Sequence, residues 1–144
     1  MATKSELEAL FRATTYRVFL PGGTCDLRLG EPSAVLSDWL ETAGCQGFSI
    51  VTAYNPGGQA VSPNRNAEMQ AQLECDLLEG NYEPFAGENV ADDAQWPEEE
   101  TCFVPDLAPE DACALAGDYG QCAVVCGGAD GVPQLVWVEG GEQQ

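Results

Sequence analysis

Apolar residues recur along this chain with two periods, three-to-four and two, and the change from one to the other divides it into helices and strands. Ser5-Glu6-Leu7-Glu8 reads as a capping box ahead of Leu7, Leu10 and Phe11 at helical spacing, which predicts a short helix to about Arg12. Tyr16–Leu20 and Cys25–Leu29 read as strands around the turn Pro21-Gly22-Gly23, a hairpin. Pro32 and Ser33 open a second helix, with Leu36, Trp39, Leu40 and Ala43 on one face and Gly44 as its stop. Gly47–Tyr54 is apolar almost throughout, the pattern of a strand buried on both faces in the middle of a sheet.

Asn55 to Val61 is a loop. Ser62 and Pro63 then supply a hydroxyl cap and a proline at the first helical position, and Met69, Leu73 and Leu77 form the buried stripe of a helix ended by Gly80. Asn81–Gly87 is predicted as an edge strand, because Pro84 has no N–H to give to a ladder. Glu88–Glu100 carries six acids with Trp96-Pro97 and reads as a long loop. Thr101–Val104 is a strand stopped by Pro105. A helix starts at Pro109, with Ala112, Leu115, Ala116 and Tyr119 on one side and Gly120 at its end. Gln121–Cys126 and Gln134–Val138 are the last two strands, around the turn Gly127–Gly131. From residue 47 the order is strand, helix, strand, strand, helix, strand, then one further strand. That is an α+β plan, the split βαβ (βαββαβ) sheet with helices on one face, preceded by a short helix, a hairpin and a helix. The hairpin can extend the sheet. No internal repeat or dividing linker interrupts residues 1–144, so one domain is expected, with its core over about residues 5–138 and a mobile tail at 139–144.

Composition narrows the chemistry more than it suggests one. No apolar run approaches the roughly 18 residues of a membrane span, and the first residues lack the basic start and hydrophobic stretch of an export signal, so a cytoplasmic protein with no membrane contact is expected. Seven cysteines, an odd number lying mostly in apolar patterns, read as buried reduced thiols. There is no histidine and no Cys-x-x-Cys pair, so zinc would need distant thiolates to converge; no metal or cofactor is expected. Ser-His and Cys-His catalytic pairs cannot form within the chain. The formal charge is −19, and all but six of the 24 acids lie after Arg65, with no base among them. Such a surface repels phosphates, which disfavours direct nucleic-acid binding. It suits solubility, or a basic protein partner.

Arg65 is the one base outside the first 28 residues, and it sits between Asn64 and Asn66 after the glycine-containing loop Asn55-Pro56-Gly57-Gly58. A loop leading from a strand into a helix N-terminus is a place where anions bind. Asn66 precedes Met69, Leu73 and Leu77 by three, seven and eleven residues, which puts it on the core-facing side of that helix, where a buried amide needs partners. Those partners are either a ligand or Asn55 itself, with the two asparagines stapling loop to helix and Arg65 pairing a nearby acid. Trp96 with Glu98, Glu99 and Glu100 is the second constellation, either an aromatic lid beside a ligand-reading carboxylate or an indole packed on the sheet edge with acids in water. Gln121, before a core strand, points toward the same region. The candidate ligand-binding set is Asn55, Asn64, Arg65, Asn66, Trp96, Glu99 and Gln121.

Thr52-Ala53-Tyr54-Asn55-Pro56-Gly57, Ser62 with Asn64 and Asn66, Trp96-Pro97-Glu98-Glu99 before Cys102-Phe103-Val104, and Tyr119-Gly120-Gln121-Cys122-Ala123 together resemble the bacterial domain-of-unknown-function 3293 family. The resemblance runs from about Tyr16 to Val138 and implies no established activity. Thr101-Cys102 stand where that family's pattern has a serine, and the loss of bases after Arg65 is particular to this chain. Three functions remain open: a domain binding a small polar or anionic ligand, or an accessory module; an acidic interaction or inhibitory module, a nucleic-acid mimic, for a basic partner; and a hydrolase or transferase using Glu98 or Glu99.

Overall fold

The computed structural model describes residues 3–56, 61–93 and 98–138. In order the elements are α1 (Lys4–Arg12), β1 (Thr14–Leu20), β2 (Gly23–Leu27), α2 (Ala34–Ala43), β3 (Gly47–Val51), α3 (Pro63–Glu79), β4 (Phe85–Ala91), β5 (Glu99–Pro105), α4 (Pro109–Asp118), β6 (Ala123–Gly128) and β7 (Gln134–Trp137). The strands form a sheet in the order β2-β1-β4-β5-β3-β6-β7, and each neighbouring pair is antiparallel. β5 lies between β3 and β4, and β3 lies between β5 and β6. The units β3-α3-β4 and β5-α4-β6 therefore interleave, which is the expected α+β split βαβ plan. The hairpin β1-β2 extends it past β4, and β7 extends it past β6.

Both faces of the central strands are buried, for which reason they read as unbroken apolar runs. Leu73 and Leu77 of α3 and Ala112 and Ala116 of α4 pack on Val51, Cys102, Val104, Val124 and Cys126. The alternate residues Phe48, Ile50, Phe103 and Val125 face Leu36 and Leu40 of α2, with Tyr16, Val18 and Leu27 from the hairpin. The two helices of the split unit thus share one face and the N-terminal helices cover the other. The ends of the sheet are tied: Gly30 N–H donates to Pro133 O at 2.7 Å and Ser33 N–H to Gly131 O at 3.2 Å, while Phe11 of α1 meets Trp137 of β7 edge-on.

Several boundaries differ from those the pattern suggested. The first capping box is Thr3 with Glu6, two residues earlier than Ser5-Glu6-Leu7-Glu8. The strand expected at Asn81–Gly87 is β4, which starts after Pro84 and is not an edge, since it pairs with β1 and β5. Proline precedes the ladder and costs it no donor. Residues 88–91, read as loop, continue β4, because β1 supplies a partner for each of them. β5 likewise begins at Glu99. The expected tail at 139–144 lies outside the described residues. None of the described helices is long and apolar enough to cross a membrane.

Candidate functional site

β3 ends at Val51, and the chain that follows is held by side chains rather than by ladder bonds. The Thr52 hydroxyl donates to Glu100 O at 2.7 Å and accepts from Tyr54 N–H at 3.1 Å. Gln70, buried on α3, accepts from Ala53 N–H at 2.9 Å. Ser62 caps α3 by accepting from Arg65 N–H at 3.2 Å, with Pro63 in the first turn. That capped first turn presents Asn66, 5% exposed, to the loop.

Asn55 and Asn66 form a reciprocal pair. Asn66 Oδ1 accepts from Asn55 N–H, and Asn66 Nδ2 donates to Asn55 Oδ1, both at 2.9 Å. Asn55 Oδ1 also accepts from Val61 N–H at 3.1 Å, and Asn55 Nδ2 donates to Glu99 Oε2 at 2.6 Å. Asn55 has φ 47°, a left-handed conformation that asparagine tolerates better than most residues. Every polar atom of its side chain is engaged, so it works as a staple between loop, α3 and β5.

Glu99 sits opposite Asn89 in the β4-β5 register, and Asn89 sits opposite Tyr16 of β1. The three side chains therefore share a sheet face. Burial pushes the Glu99 carboxyl above its usual range, against the hydrogen bonds from Asn55 and Asn89 that hold it down. Glu99 has no ion pair among the described residues, and Asn89 Oδ1 is buried with no hydrogen-bond partner. Glu100, its neighbour, points to the other face and accepts from the Tyr54 hydroxyl at 3.0 Å.

Outside this lock, Pro56, Arg65, Glu68, Met69, Gln72, Asp118, Tyr119 and Gly120 line a groove of about 670 Å³ between α3 and the end of α4. Two contacts lie at its border. Tyr119 OH donates to Asp76 Oδ2 at 2.5 Å, which ties α4 to α3. Gly120, at φ 73°, lies so close to Pro56 that an added Cβ would stand 3.0 Å from the proline Cβ. A second concavity, about 530 Å³ between α4 and β7, contains Cys113 and Trp137 but no base.

The cations are unevenly used. Arg12 bonds Glu8 at 3.0 Å, Arg17 bonds Asp26 at 2.9 Å and Glu88 at 3.1 Å, and Arg28 bonds Asp92 at 2.7 and 3.1 Å. Lys4 stands 4.9 Å over the Trp137 ring. Arg65 differs: its guanidinium is 3.9 Å from Glu68, forms no side-chain hydrogen bond among the described residues, and has 64% of its side chain exposed.

Of the residues expected at a site, Asn55, Asn66 and Glu99 come together. Gln121 joins them at one remove, donating to Tyr54 O at 3.0 Å. Arg65 and Asn64 face solvent on the first turn of α3, Arg65 on the groove. Trp96 lies outside the described residues, as do Gly57 and Gly58. The sequence reading missed Asn89, because residue 89 was assigned to a loop, and missed Asp118, which one more turn of the α4 helical period places at that helix's end. None of the seven cysteines forms a disulfide, and no cluster of three or more metal-ligating side chains occurs among the described residues. Burial pushes the Cys102 thiol up to about 12 and raises Cys45 and Cys126 as well, which makes them poor nucleophiles.

The sequence model of a family described as a protein of unknown function, DUF3293, matches residues 51–124. That stretch runs from the end of β3 through α3, β4, β5 and α4 into β6, and it contains the whole Asn55-Asn66-Asn89-Glu99 lock and the whole groove. No curated protein and no solved structure matches the chain.

Proposed function

Because the chain belongs to the DUF3293 family, whose description assigns no activity, we propose a function from geometry: a domain that binds a small polar ligand through an anionic group, in the groove between α3 and α4. One observation carries this reading. In a chain of formal charge −19, Arg65 is the guanidinium without a hydrogen-bonded carboxylate among the described residues, and it lines the groove. An exposed guanidinium near so many acids is left available for an incoming carboxylate or phosphate, to which its planar fork can bond through two N–H groups. The asparagine lock supports the reading indirectly, by fixing the first turn of α3 that carries Arg65. Gln121 extends the lock to β6.

A thermal-shift and calorimetric screen with carboxylates, phosphosugars and nucleotides tests it. At least one is expected to bind, and Arg65→Ala is expected to weaken that binding about tenfold or more, roughly 1.4 kcal/mol. Unchanged binding in the variant refutes the reading. Without ligand the variant is expected to unfold within about 0.5 kcal/mol of wild type, since an exposed pair at this distance contributes little.

A second reading has its own support. Glu68, Glu74 and Glu79 of α3 and Glu110, Asp111 and Asp118 of α4 are all exposed on one helical layer, with Arg65 the only base on either helix. That layer would suit a basic protein segment. An arginine-rich peptide at about 150 mM salt should then shift NMR resonances of α3 and α4 and spare those of β1 and β2. Shifts spread over the whole surface would show general charge attraction and refute it.

A further inference from the structure

The groove carries more chemistry than its arginine. Asp118 is the last residue of α4, it is exposed, and it has no cation partner among the described residues. α4 has no basic residue in its last turn, so the negative end of the helix and the Asp118 carboxylate add at one spot. Such a coincidence normally disfavours an acid at that position. The opposite wall holds Arg65. Pro56, Met69 and Tyr119 line the same groove and supply its apolar surface. The Tyr119–Asp76 hydrogen bond ties the end of α4 to α3, and Gly120 closes against Pro56 of the loop after β3.

We propose that the groove takes a small zwitterion of the amino-acid kind, its carboxylate on Arg65, its ammonium on Asp118 and the end of α4, and its carbon skeleton on Met69, Pro56 and Tyr119. This rests on the anion-binding reading above and names the ligand class for the same site. Glu68 lies on the Arg65 wall and is exposed, so it competes for Arg65 only at 3.9 Å, without a hydrogen bond. A simple anion would meet Arg65 but also the Asp118 and Glu68 carboxylates. Only a ligand with a positive group of its own turns that acidic wall into an attraction.

The test uses matched pairs with and without the amine: leucine against 4-methylpentanoate, 4-aminobutyrate against butyrate, 6-aminohexanoate against hexanoate. Binding is measured by calorimetry to wild type, Arg65→Ala, Asp118→Asn and Glu68→Gln. At least one zwitterion is expected to bind about tenfold or more tightly than its amine-free partner. Asp118→Asn should erase that preference, weakening the zwitterion and strengthening its amine-free partner, which no longer meets a like charge there, and Arg65→Ala should weaken both. Glu68→Gln should leave the preference in place. Equal binding of zwitterion and carboxylate to wild type, both weakened by Arg65→Ala, would overturn the zwitterion and leave the anion site standing. A preference that survives Asp118→Asn, or that is lost in Glu68→Gln instead, would also overturn it. Absence of any Arg65-dependent binding across the pairs and the phosphate-bearing probes would bring down both.

Discussion

Replacing Asn55 by alanine should cost far more than a loop position ordinarily does. The side chain makes three hydrogen bonds, from Val61 N–H, from Asn66 Nδ2 and to Glu99 Oε2. Two are between neutral groups, about 1 kcal/mol each, and the third ends on a carboxylate, about 1.5–3 kcal/mol. Asn55 and Glu99 are only half-buried, so water recovers part of this. Alanine at φ 47° adds about 1 kcal/mol, because asparagine accepts the left-handed region more readily. The expected loss is about 3–4 kcal/mol, a large share of the roughly 5–15 kcal/mol that holds a domain folded. Urea unfolding followed by circular dichroism at neutral pH measures it. Asn55→Asp sharpens the test. It keeps the acceptor for Val61 and Asn66 but sets a carboxylate against Glu99 where a 2.6 Å hydrogen bond stood. In the folded state that pair holds a proton more tightly than either acid does unfolded, so stability must fall as pH rises above the ordinary carboxylate range. The Asp variant's deficit should therefore shrink on acidification toward about pH 4.5. An alanine variant within about 1 kcal/mol of wild type, or an Asp variant whose deficit ignores pH, would refute the staple.

Glu99→Gln removes a carboxyl whose folded-state pKa burial raises, so the wild type should lose stability as pH climbs through that raised value and the variant should lose less; parallel pH–stability curves would contradict this. Tyr119→Phe deletes the bond to Asp76 and should cost about 1–2 kcal/mol in urea unfolding, while weakening any ligand whose binding depends on Arg65; a change below about 0.3 kcal/mol would mean that α4 and α3 need no tie there. Gly120→Ala forces an L residue to φ 73° and a Cβ to 3.0 Å from Pro56, so a loss of about 1–2 kcal/mol is expected, and a fully stable variant would show that the α4 end moves freely.

Much of this was legible in the chain, for a physical reason. Strands buried on both faces must be apolar throughout, so β3 and β6 announce themselves, and Ser62-Pro63 marks the start of α3 to the residue. Asn66 was placed on the core side by helical period alone, and the structure buries it. The alternative in which the two asparagines staple loop to helix is the arrangement found. β4 was misplaced because its inward positions include Gly87 and Asn89, which carry no hydrophobic signal; its pairing with β1, more than sixty residues earlier, makes it a strand. Long-range pairing of this kind leaves little trace in local pattern. Asn89 was lost with it. Asp118 was missed for a similar reason, since only the packed structure puts the end of α4 on the same groove as Arg65.

The charge pattern and the fold explain one another at this end of the sheet. The N-terminal arginines are used up by the hairpin and its neighbours: Arg17 spans the row from Asp26 to Glu88, and Arg28 reaches Asp92 beyond β4. Removing Arg17 would leave Asp26 and Glu88 on either side of β1 with no cation between them, and removing Arg28 would leave Asp92 without its hydrogen-bonded base. Arg65 relieves no such contact. Deleting it leaves Ser62, Asn55 and Asn66 with all their hydrogen bonds, since α3 is capped through the backbone N–H of residue 65 and not through its side chain. A base in a helical layer of acids, with no side-chain hydrogen bond among the described residues and a groove at its side, has no structural task that alanine would fail to perform. The ligand proposed for the groove would give it one.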